Sequence, residues 1–177
     1  MLDMILAGFG GQGVMSMGQL IAYAGMLEGK EVSWMPSYGP EMRGGTANCT
    51  VVVSEEPIGS PVVTEPQVVV AMNLPSLDKF ESMVKPGGVL IINSSLINRS
   101  CQREDITVIE VPANEIANEL GNLKVANMVV LGTLIAQTKV VSKESIIESL
   151  KKVLPEHRHN LIPMNEEALN RGAAFVK

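Results

Sequence analysis

Aromatic residues are scarce in this 177-residue chain: phenylalanine, tyrosine and tryptophan make up 3% of it, although 46% of all residues are hydrophobic. A hydrophobic core must therefore be built from aliphatic side chains and from the eleven methionines. Because a chain of this length can bury a core of its own, we expect one domain over residues 1–177.

Cysteine is almost missing, with Cys49 and Cys101 the only two and far apart in sequence. They have neither the C-x-x-C spacing of a zinc site nor the four-cysteine set of an iron–sulfur cluster, so the sequence predicts no metal ligand in this chain. Cys49 falls in an apolar, strand-like run, which predicts a buried and reduced thiol.

Basic clusters and long apolar runs are missing as well. The net charge is −5, and no group of lysines and arginines is interleaved with aromatics, which argues against nucleic acid and a membrane surface as partners. No run of about 18 apolar residues and no secretory leader is recognisable. We therefore expect a cytoplasmic protein with no nucleic-acid partner and no membrane partner.

The most informative stretch lies at the start of the chain. An apolar strand at residues 1–7 leads into Gly8-Phe9-Gly10-Gly11-Gln12-Gly13, and a helical apolar pattern follows over residues 14–28. A G-x-G-x-x-G loop between a strand and a helix indicates an anion site, because free amides and the macrodipole at a helix start favour a phosphate.

Each glycine of this loop has an expected role. Gly8 would permit a tight turn, Gly10 would let a ligand approach the backbone, and Gly13 would pack the helix against the strand. The alternative is that the glycines serve only close packing of the strand and the helix.

A dinucleotide site of this type also needs an acidic residue at the tip of the second strand. The second strand is predicted over Glu31–Met35 and is followed by Pro36-Ser37-Tyr38, so no carboxylate stands at that tip. The sequence therefore argues against bound NAD.

A second unusual stretch covers residues 36–46, with two prolines, three glycines and the opposite charges of Glu41 and Arg43. It follows the second strand, at the edge of an open α/β sheet where ligands bind. Arginine suits a phosphate or a carboxylate because its planar fork donates two parallel hydrogen bonds. A rigid turn with a solvated ion pair is the alternative.

The rest of the chain alternates apolar strands with amphipathic helices, which predicts an α/β fold: a single Rossmann-like three-layer domain with a mostly parallel sheet. Residues 1–7 and 31–35 should form the first β-α-β unit, and the strands around residues 47–63 should form a β-hairpin that extends the sheet. Further strands are predicted at 47–54, 58–63, 67–72, 89–92 and 106–111, and further helices after Asn73 or Ser76, at 112–120 and 125–138, from Ser142 through 154, and from Asn165 through 175.

The glycine loop, followed by Tyr38-Gly39-Pro40-Glu41-Met42-Arg43-Gly44-Gly45, resembles the gamma subunit of the 2-oxoacid:ferredoxin oxidoreductases. The similarity continues through Lys85-Pro86-Gly87-Gly88, Ala126-Asn127-Met128 with Leu131-Gly132, and the closing helix after Asn165. Within that family, the Tyr-Gly-Pro-Glu form of the second loop most resembles the 2-oxoglutarate branch.

The resemblance implies a part in the coenzyme A-dependent oxidative decarboxylation of a 2-oxoacid to acyl-CoA and carbon dioxide, with reduction of ferredoxin. It implies that thiamine diphosphate, Mg and the [4Fe-4S] clusters are held by the alpha and beta subunits, and by a delta subunit where one is present. Coenzyme A is the co-substrate, and ferredoxin is met through the complex. The isolated chain should be inactive, with a homodimer as one expected state.

From the family's motifs and the chemistry of these loops, we expect no catalytic residue in this chain. The expected contacts to coenzyme A or another anion are the amides of the glycine loop, the Gln12 side chain and Arg43 oriented by Glu41; the full set is Gly8, Gly10, Gly11, Gln12, Gly13, Tyr38, Glu41, Arg43, Gly44 and Gly45. This hypothesis requires the two loops to meet at the same edge of the molecule.

Three alternatives stay open at the level of sequence. The same loops could form a subunit interface with no small ligand. A stand-alone nucleotide-dependent enzyme, either a dehydrogenase or a methyltransferase, would explain the glycine loop, and the turn at residues 85–88 resembles one common in methyltransferases. A non-catalytic docking module would explain the apolar helix at residues 125–138.

Overall fold

Short apolar runs form a six-stranded mixed sheet in the computed structural model, which describes residues 1–38 and 46–177. Glu41, Arg43, Gly44 and Gly45 of the expected site lie outside the described residues. The strands are β1 (Leu2–Phe9), β2 (Glu31–Tyr38), β3 (Thr46–Ser54), β4 (Val68–Ala71), β5 (Val89–Asn93) and β6 (Thr107–Val111).

The sheet has the order β2-β3-β1-β4-β5-β6. β1, β4, β5 and β6 pair in parallel, whereas β3 pairs antiparallel with both β1 and β2. The α/β class, the mostly parallel sheet and the β-hairpin predicted from the sequence are therefore confirmed. β1 and β2 run parallel and are joined by the first helix, α1 (Val14–Leu27), as predicted, and β3 lies between them in the sheet.

The predicted strand at residues 58–63 does not form. Both edges of β3 are already occupied by β1 and β2, so a strand following Ser54 has no edge beside β3 to join. The hairpin is made instead by β2 and β3, and β2 continues through Pro36 to Tyr38, beyond its predicted end at Met35. An edge strand tolerates proline because one side of it needs no hydrogen-bond donor.

The helices follow the predicted pattern at five of six places among the described residues. Ser142 caps its helix as expected, and its hydroxyl accepts a hydrogen bond from the Ser145 amide. The helices are α1 (Val14–Leu27), α2 (Leu74–Phe80), α3 (Ala113–Glu119), α4 (Ala126–Thr138), α5 (Lys143–Val153) and α6 (Ile162–Ala173).

The start of α6 was predicted wrongly. The helix begins at Ile162, and Asn165 lies inside its first turn, where its side chain donates to the Leu161 carbonyl instead of capping the helix. The chain enters α6 directly from a 3-10 turn at Glu156–Leu161. Pro163 fits the first turn because its fixed φ is helical and no intrahelical donor is needed there.

Gly29 ends α1 as predicted. It adopts a φ of 77°, its amide donates to the Met26 carbonyl, and the Lys30 amide donates to the Gly25 carbonyl. This pair of hydrogen bonds is the Schellman motif, which satisfies the last carbonyls of a helix and favours glycine in the left-handed position.

Alternation along β1 divides the core into two layers. Met4 and Leu6 face a large cluster with α1, α3 and α4, whereas Ile5 and Ala7 face a smaller cluster with α2. The three-layer arrangement is thus confirmed, with most of the helical mass on one face of the sheet. Among the described residues, no helix is both long enough and apolar enough to cross a bilayer.

Glycines allow α4 and α6 to pack at very short range. A Cβ atom on Gly172 would collide with the backbone carbonyl of Val129, and one on Gly132 would collide with that of Leu169. The hydroxyl of Thr133 also donates to the Gly172 carbonyl at 2.7 Å. The helix predicted to pack closely against other elements does so through these contacts.

Substitution Gly172→Ala should destabilise the fold by at least about 2 kcal/mol, because backbone atoms of α4 cannot move aside as a side chain can. Urea unfolding of the purified chain measures this loss. Gly59→Ala is the matched control, since no atom lies within 4 Å of a Cβ there and its φ is not positive. Equal stability of the two variants would contradict the packing described.

Candidate functional site

The glycine loop joins β1 to α1 at the carboxyl end of the parallel strands. β1 extends through Phe9, so Gly8 lies within the strand and pairs with Ala47. The expectation that Gly8 permits a tight turn was therefore wrong.

Gly8 is needed for a different reason. A Cβ atom on Gly8 would lie 2.6 Å from Gln12 Oε1, 2.9 Å from Val14 Cγ2 and 3.0 Å from Met72 Cβ. These distances are below normal contact, so only glycine allows the Gln12 side chain and the start of α1 to close over the strand.

Gly13 caps α1 in the left-handed conformation, with φ 75° and ψ 19°. A Cβ atom there would lie 2.7 Å from Cγ and 3.0 Å from Cβ of Asn127, which belongs to α4. Gly13 therefore allows close packing as predicted, but the neighbour is α4 and not the strand. Gly11 also has a positive φ, 92°, and no atom lies near its missing side chain.

The Gln12 side chain stabilises the loop from within. Its Oε1 accepts hydrogen bonds from the Phe9 amide at 2.6 Å and from Asn73 Nδ2 at 3.2 Å, and the Gln12 amide donates to the Phe9 carbonyl at 3.2 Å. The carbonyl end of the side chain is thus occupied by the loop itself.

The first turn of α1 presents backbone donors. The helix has no side-chain cap and no acidic residue in its first turn, and Met17 is the first residue whose amide donates to the Gly13 carbonyl. The amides of Val14, Met15 and Ser16 therefore have no partner inside the helix, and the macrodipole makes this end favourable for negative charge.

These amides border a cavity of about 360 Å³. The cavity separates the start of α1 from the ends of the β2–β3 hairpin, and we call it the loop cavity. Its lining residues are Phe9, Gly10, Gly11, Gly13, Val14, Met15, Ser16, Tyr38 and Ala47.

The loop cavity brings together the two stretches singled out in the sequence. Tyr38 ends β2 and pairs with Ala47, and Thr46 begins β3 and pairs with Phe9 of the glycine loop. Tyr38 and Thr46, which flank positions 39–45, therefore both lie at the edge that carries the glycine loop. Of the expected site residues that the structure describes, Gly8 and Gln12 support the loop from behind, and the others line the cavity.

A second cavity, of about 430 Å³, lies away from the glycine loop, between the C-terminal parts of α4 and α6 and the start of α5. Two of its charged residues, Glu28 and Lys143, are engaged within the fold. Burial acts to raise the pKa of Glu28, but hydrogen bonds from Ser142, Lys30 and Ser145 lower it to about 2. Lys143 contacts Asn170 at 3.1 Å. The loop cavity is the better candidate because its backbone donors have no partner in α1.

Buried carboxamides near the same sheet edge make contacts that the sequence did not indicate. Asn93 ends β5 and is fully buried; its Nδ2 donates to Asn114 Oδ1 at 2.8 Å, and its Oδ1 accepts from the Ala113 amide at 3.2 Å. Asn127 donates to the Gly13 carbonyl at 3.3 Å. The available signal was a lone asparagine directly after an apolar strand, as at Asn73 and Asn93.

The described residues do not fit a metal centre. No group of three or more histidine, cysteine, aspartate or glutamate side chains lies close enough together in the described part of the chain to hold a metal ion. Cys49 packs in the large core and Cys101 beside the smaller one, on the α2 face. Burial raises the pKa of the Cys49 thiol to about 12, which agrees with the predicted buried thiol.

Comparison with known proteins gives a consistent picture. Residues 3–175 match the family described as pyruvate ferredoxin/flavodoxin oxidoreductase. A 2-oxoglutarate synthase subunit of Methanocaldococcus jannaschii is 38% identical over 85% of this chain and 82% of its own length.

Two longer proteins are also similar. A ketoisovalerate oxidoreductase subunit of Methanothermobacter marburgensis is 41% identical over 97% of this chain, which spans only 36% of that protein's length. A solved 2-oxoglutarate:ferredoxin oxidoreductase from Magnetococcus marinus, with 2-oxoglutarate, coenzyme A and succinyl-CoA bound, superposes with a TM-score of 0.90 at 26% identity. That match covers 98% of this chain and 30% of the other.

Two alanine substitutions test the geometry of the glycine loop. Gly11→Ala should cost about 1–2 kcal/mol, because it forces a side chain into the left-handed region without crowding. Gly13→Ala should cost about 1–3 kcal/mol more, because it adds the collision with Asn127. Urea unfolding of both variants gives the difference, and equal losses would contradict the close approach of α4.

Proposed function

Since this chain belongs to the pyruvate ferredoxin/flavodoxin oxidoreductase family, as its resemblance to the gamma subunits predicted, we propose that it acts within a coenzyme A-dependent 2-oxoacid:ferredoxin oxidoreductase. The reaction of the whole enzyme is oxidative decarboxylation of the 2-oxoacid to acyl-CoA and carbon dioxide, with reduction of ferredoxin. The observation that supports a ligand-binding role for this chain is that Tyr38, the first residue of the second motif, lines the same cavity as the glycine loop.

The proposed ligand of the loop cavity is coenzyme A. Its phosphates match the donors at the start of α1, because unpaired amides and the macrodipole both favour an anion there. The apolar side of the cavity, made by Phe9, Val14 and Tyr38, suits the uncharged parts of the molecule. The solved relative from Magnetococcus marinus contains bound coenzyme A, which supports this choice of ligand.

Arg43 is proposed as the charged partner of the ligand. The segment that carries it begins after Tyr38, which lines the loop cavity, and ends before Thr46, which pairs with the lining residue Phe9. A guanidinium group there would add a bidentate donor to the uncharged amides of α1. Glu41 is proposed to orient Arg43, and Gly44 and Gly45 to allow the ligand close to the backbone.

The other components of the reaction are proposed to lie on neighbouring subunits. The chain spans about a third of the ketoisovalerate oxidoreductase subunit and of the Magnetococcus chain, so the equivalent region is there part of a longer polypeptide. We assign thiamine diphosphate, Mg and the [4Fe-4S] clusters to alpha and beta subunits, with a delta subunit where one is present. The described residues of this chain offer no comparable ligand set.

The proposed 2-oxoacid is 2-oxoglutarate. The 2-oxoglutarate synthase subunit of Methanocaldococcus jannaschii resembles this chain over most of both lengths, and the Tyr38-Gly39-Pro40-Glu41 form of the second loop points to the same branch. The similarity to a ketoisovalerate oxidoreductase subunit makes ketoisovalerate the second candidate.

Assay of the complex purified with this chain should give the highest kcat/KM with 2-oxoglutarate, compared with ketoisovalerate and pyruvate, when acyl-CoA formation and ferredoxin reduction are followed together. The purified chain alone should be inactive with all three substrates, since the proposal places thiamine diphosphate and the iron–sulfur clusters on other subunits. A preference for ketoisovalerate would contradict the proposed substrate and assign the enzyme to the ketoisovalerate branch of the family. Activity of the isolated chain would refute the assignment of the cofactors to other subunits.

Substitution Ser16→Glu tests the anion site directly. Ser16 is exposed at the border of the loop cavity, so a carboxylate there should repel a phosphate and raise KM for coenzyme A about tenfold, equal to about 1.4 kcal/mol. The increase should shrink at high salt. Steady-state kinetics of the assembled enzyme measure both effects.

Ser16→Gln is the matched control because it has the size of glutamate without its charge. It should change KM for coenzyme A much less than Ser16→Glu. Glutamate at this third helical position also stabilises a helix start, so a higher KM in that variant would not reflect a weaker fold. Equal KM values for the two variants would contradict the proposal that coenzyme A binds in the loop cavity.

A further inference from the structure

The glycine loop makes a hydrogen bond to α4. Asn127 lies in the first turn of that helix and is 8% exposed, and its Nδ2 donates to the Gly13 carbonyl at 3.3 Å. The same carbonyl accepts from the Met17 amide at 3.0 Å, as the first hydrogen bond of α1. One carbonyl thus joins the loop, α1 and α4.

A second contact reaches the loop from the start of α2. Asn73 is 3% exposed and uses both ends of its side chain: Oδ1 accepts from the Ser76 amide at 3.0 Å and caps α2, while Nδ2 donates to Gln12 Oε1 at 3.2 Å. Gln12 Oε1 also accepts from the Phe9 amide at 2.6 Å. Asn73 is therefore linked to the loop backbone through one side chain.

The composition of the loop makes such contacts necessary. Gly11 and Gly13 both occupy left-handed conformations, and glycine has more conformations available than any other residue. A loop of this kind would lose entropy on ordering around a ligand, and contacts that order it beforehand remove that cost from binding.

We propose that Asn127 and Asn73 are positioning residues, which hold the glycine loop from α4 and from the start of α2 so that the amides of α1 face the loop cavity before a ligand arrives. Neither side chain lines the cavity, so both act through the loop and not by touching the ligand. The effect on coenzyme A rests on the proposed function, whereas the effect on the loop itself does not.

Two substitutions each break one contact. Asn127→Leu keeps the size of the side chain and removes the donor to Gly13. Asn73→Asp keeps the oxygen that caps α2, because aspartate is as good a cap as asparagine, but it cannot donate to Gln12. If Asn127→Leu does not fold, Asn73→Asp still tests the proposal.

Thr133→Val is the matched control. Thr133 lies six residues after Asn127 in the same helix and is fully buried, and its hydroxyl also donates to a carbonyl of another element, Gly172. The control loses a comparable buried hydrogen bond away from the loop. It therefore reports the effect of weakening α4 alone.

Hydrogen–deuterium exchange of the full chain without ligand, followed by mass spectrometry of peptides covering residues 8–17, gives the first readout. Exchange should be about tenfold faster in Asn127→Leu and Asn73→Asp than in the unmodified chain, and unchanged in Thr133→Val. A tenfold increase in the exchange rate corresponds to the loss of about one hydrogen bond. Exchange in both loop variants equal to that of the control would overturn the proposal.

Kinetics of the assembled enzyme give the second readout. Asn127→Leu should raise KM for coenzyme A about tenfold and leave kcat unchanged, whereas Thr133→Val should leave both unchanged. A fall in kcat with unchanged KM would overturn the positioning role in binding. Faster exchange with unchanged KM and kcat would support the role of these asparagines in ordering the glycine loop, but it would count against coenzyme A as the ligand of the loop cavity.

Discussion

The placement of β3 between β1 and β2 is the constraint on which the candidate site depends. Because β3 runs antiparallel to both neighbours, its first residue, Thr46, must lie at the edge where β1 and β2 end. Phe9, Tyr38 and Thr46 are brought together by strand pairing alone. Thr46 pairs with Phe9 of the glycine loop and Tyr38 pairs with Ala47, so the two residues that flank positions 39–45 both lie at the edge that carries this loop.

The local elements were readable from the sequence because each depends on short-range chemistry. Ser142 and Gly29 mark helix ends through hydrogen bonds within a few residues, and the strand–glycine–helix order of the N-terminus follows from composition and period. The pairing of β2 with β3 could not be read in this way. It depends on which sheet edge is free, and that is a property of the whole topology.

The roles of individual site residues were less predictable than their positions. Gly8 and Gly13 were recognised as special, but the side chains that require them were not: Gln12, Val14 and Met72 for Gly8, and Asn127 for Gly13. The buried carboxamides gave no periodic signal, since Asn73 and Asn93 each stand alone after an apolar strand. The sequence can therefore indicate that glycine is required at such a position. It does not show which neighbouring side chain requires it.

The described residues that line the loop cavity offer backbone amides but no charged side chain. Each uncharged donor contributes only a small binding free energy to an anion. Such donors therefore bind an anion well only when the fold has already fixed them in place, so that binding does not have to pay the entropy of ordering them. Several contacts fix the glycine loop in this way. Gly8 leaves space for the Gln12 side chain, which accepts a hydrogen bond from Asn73, and Gly13 leaves space for Asn127. In the proposed function, Arg43 or a neighbouring subunit supplies the charge that the residues lining the loop cavity do not provide.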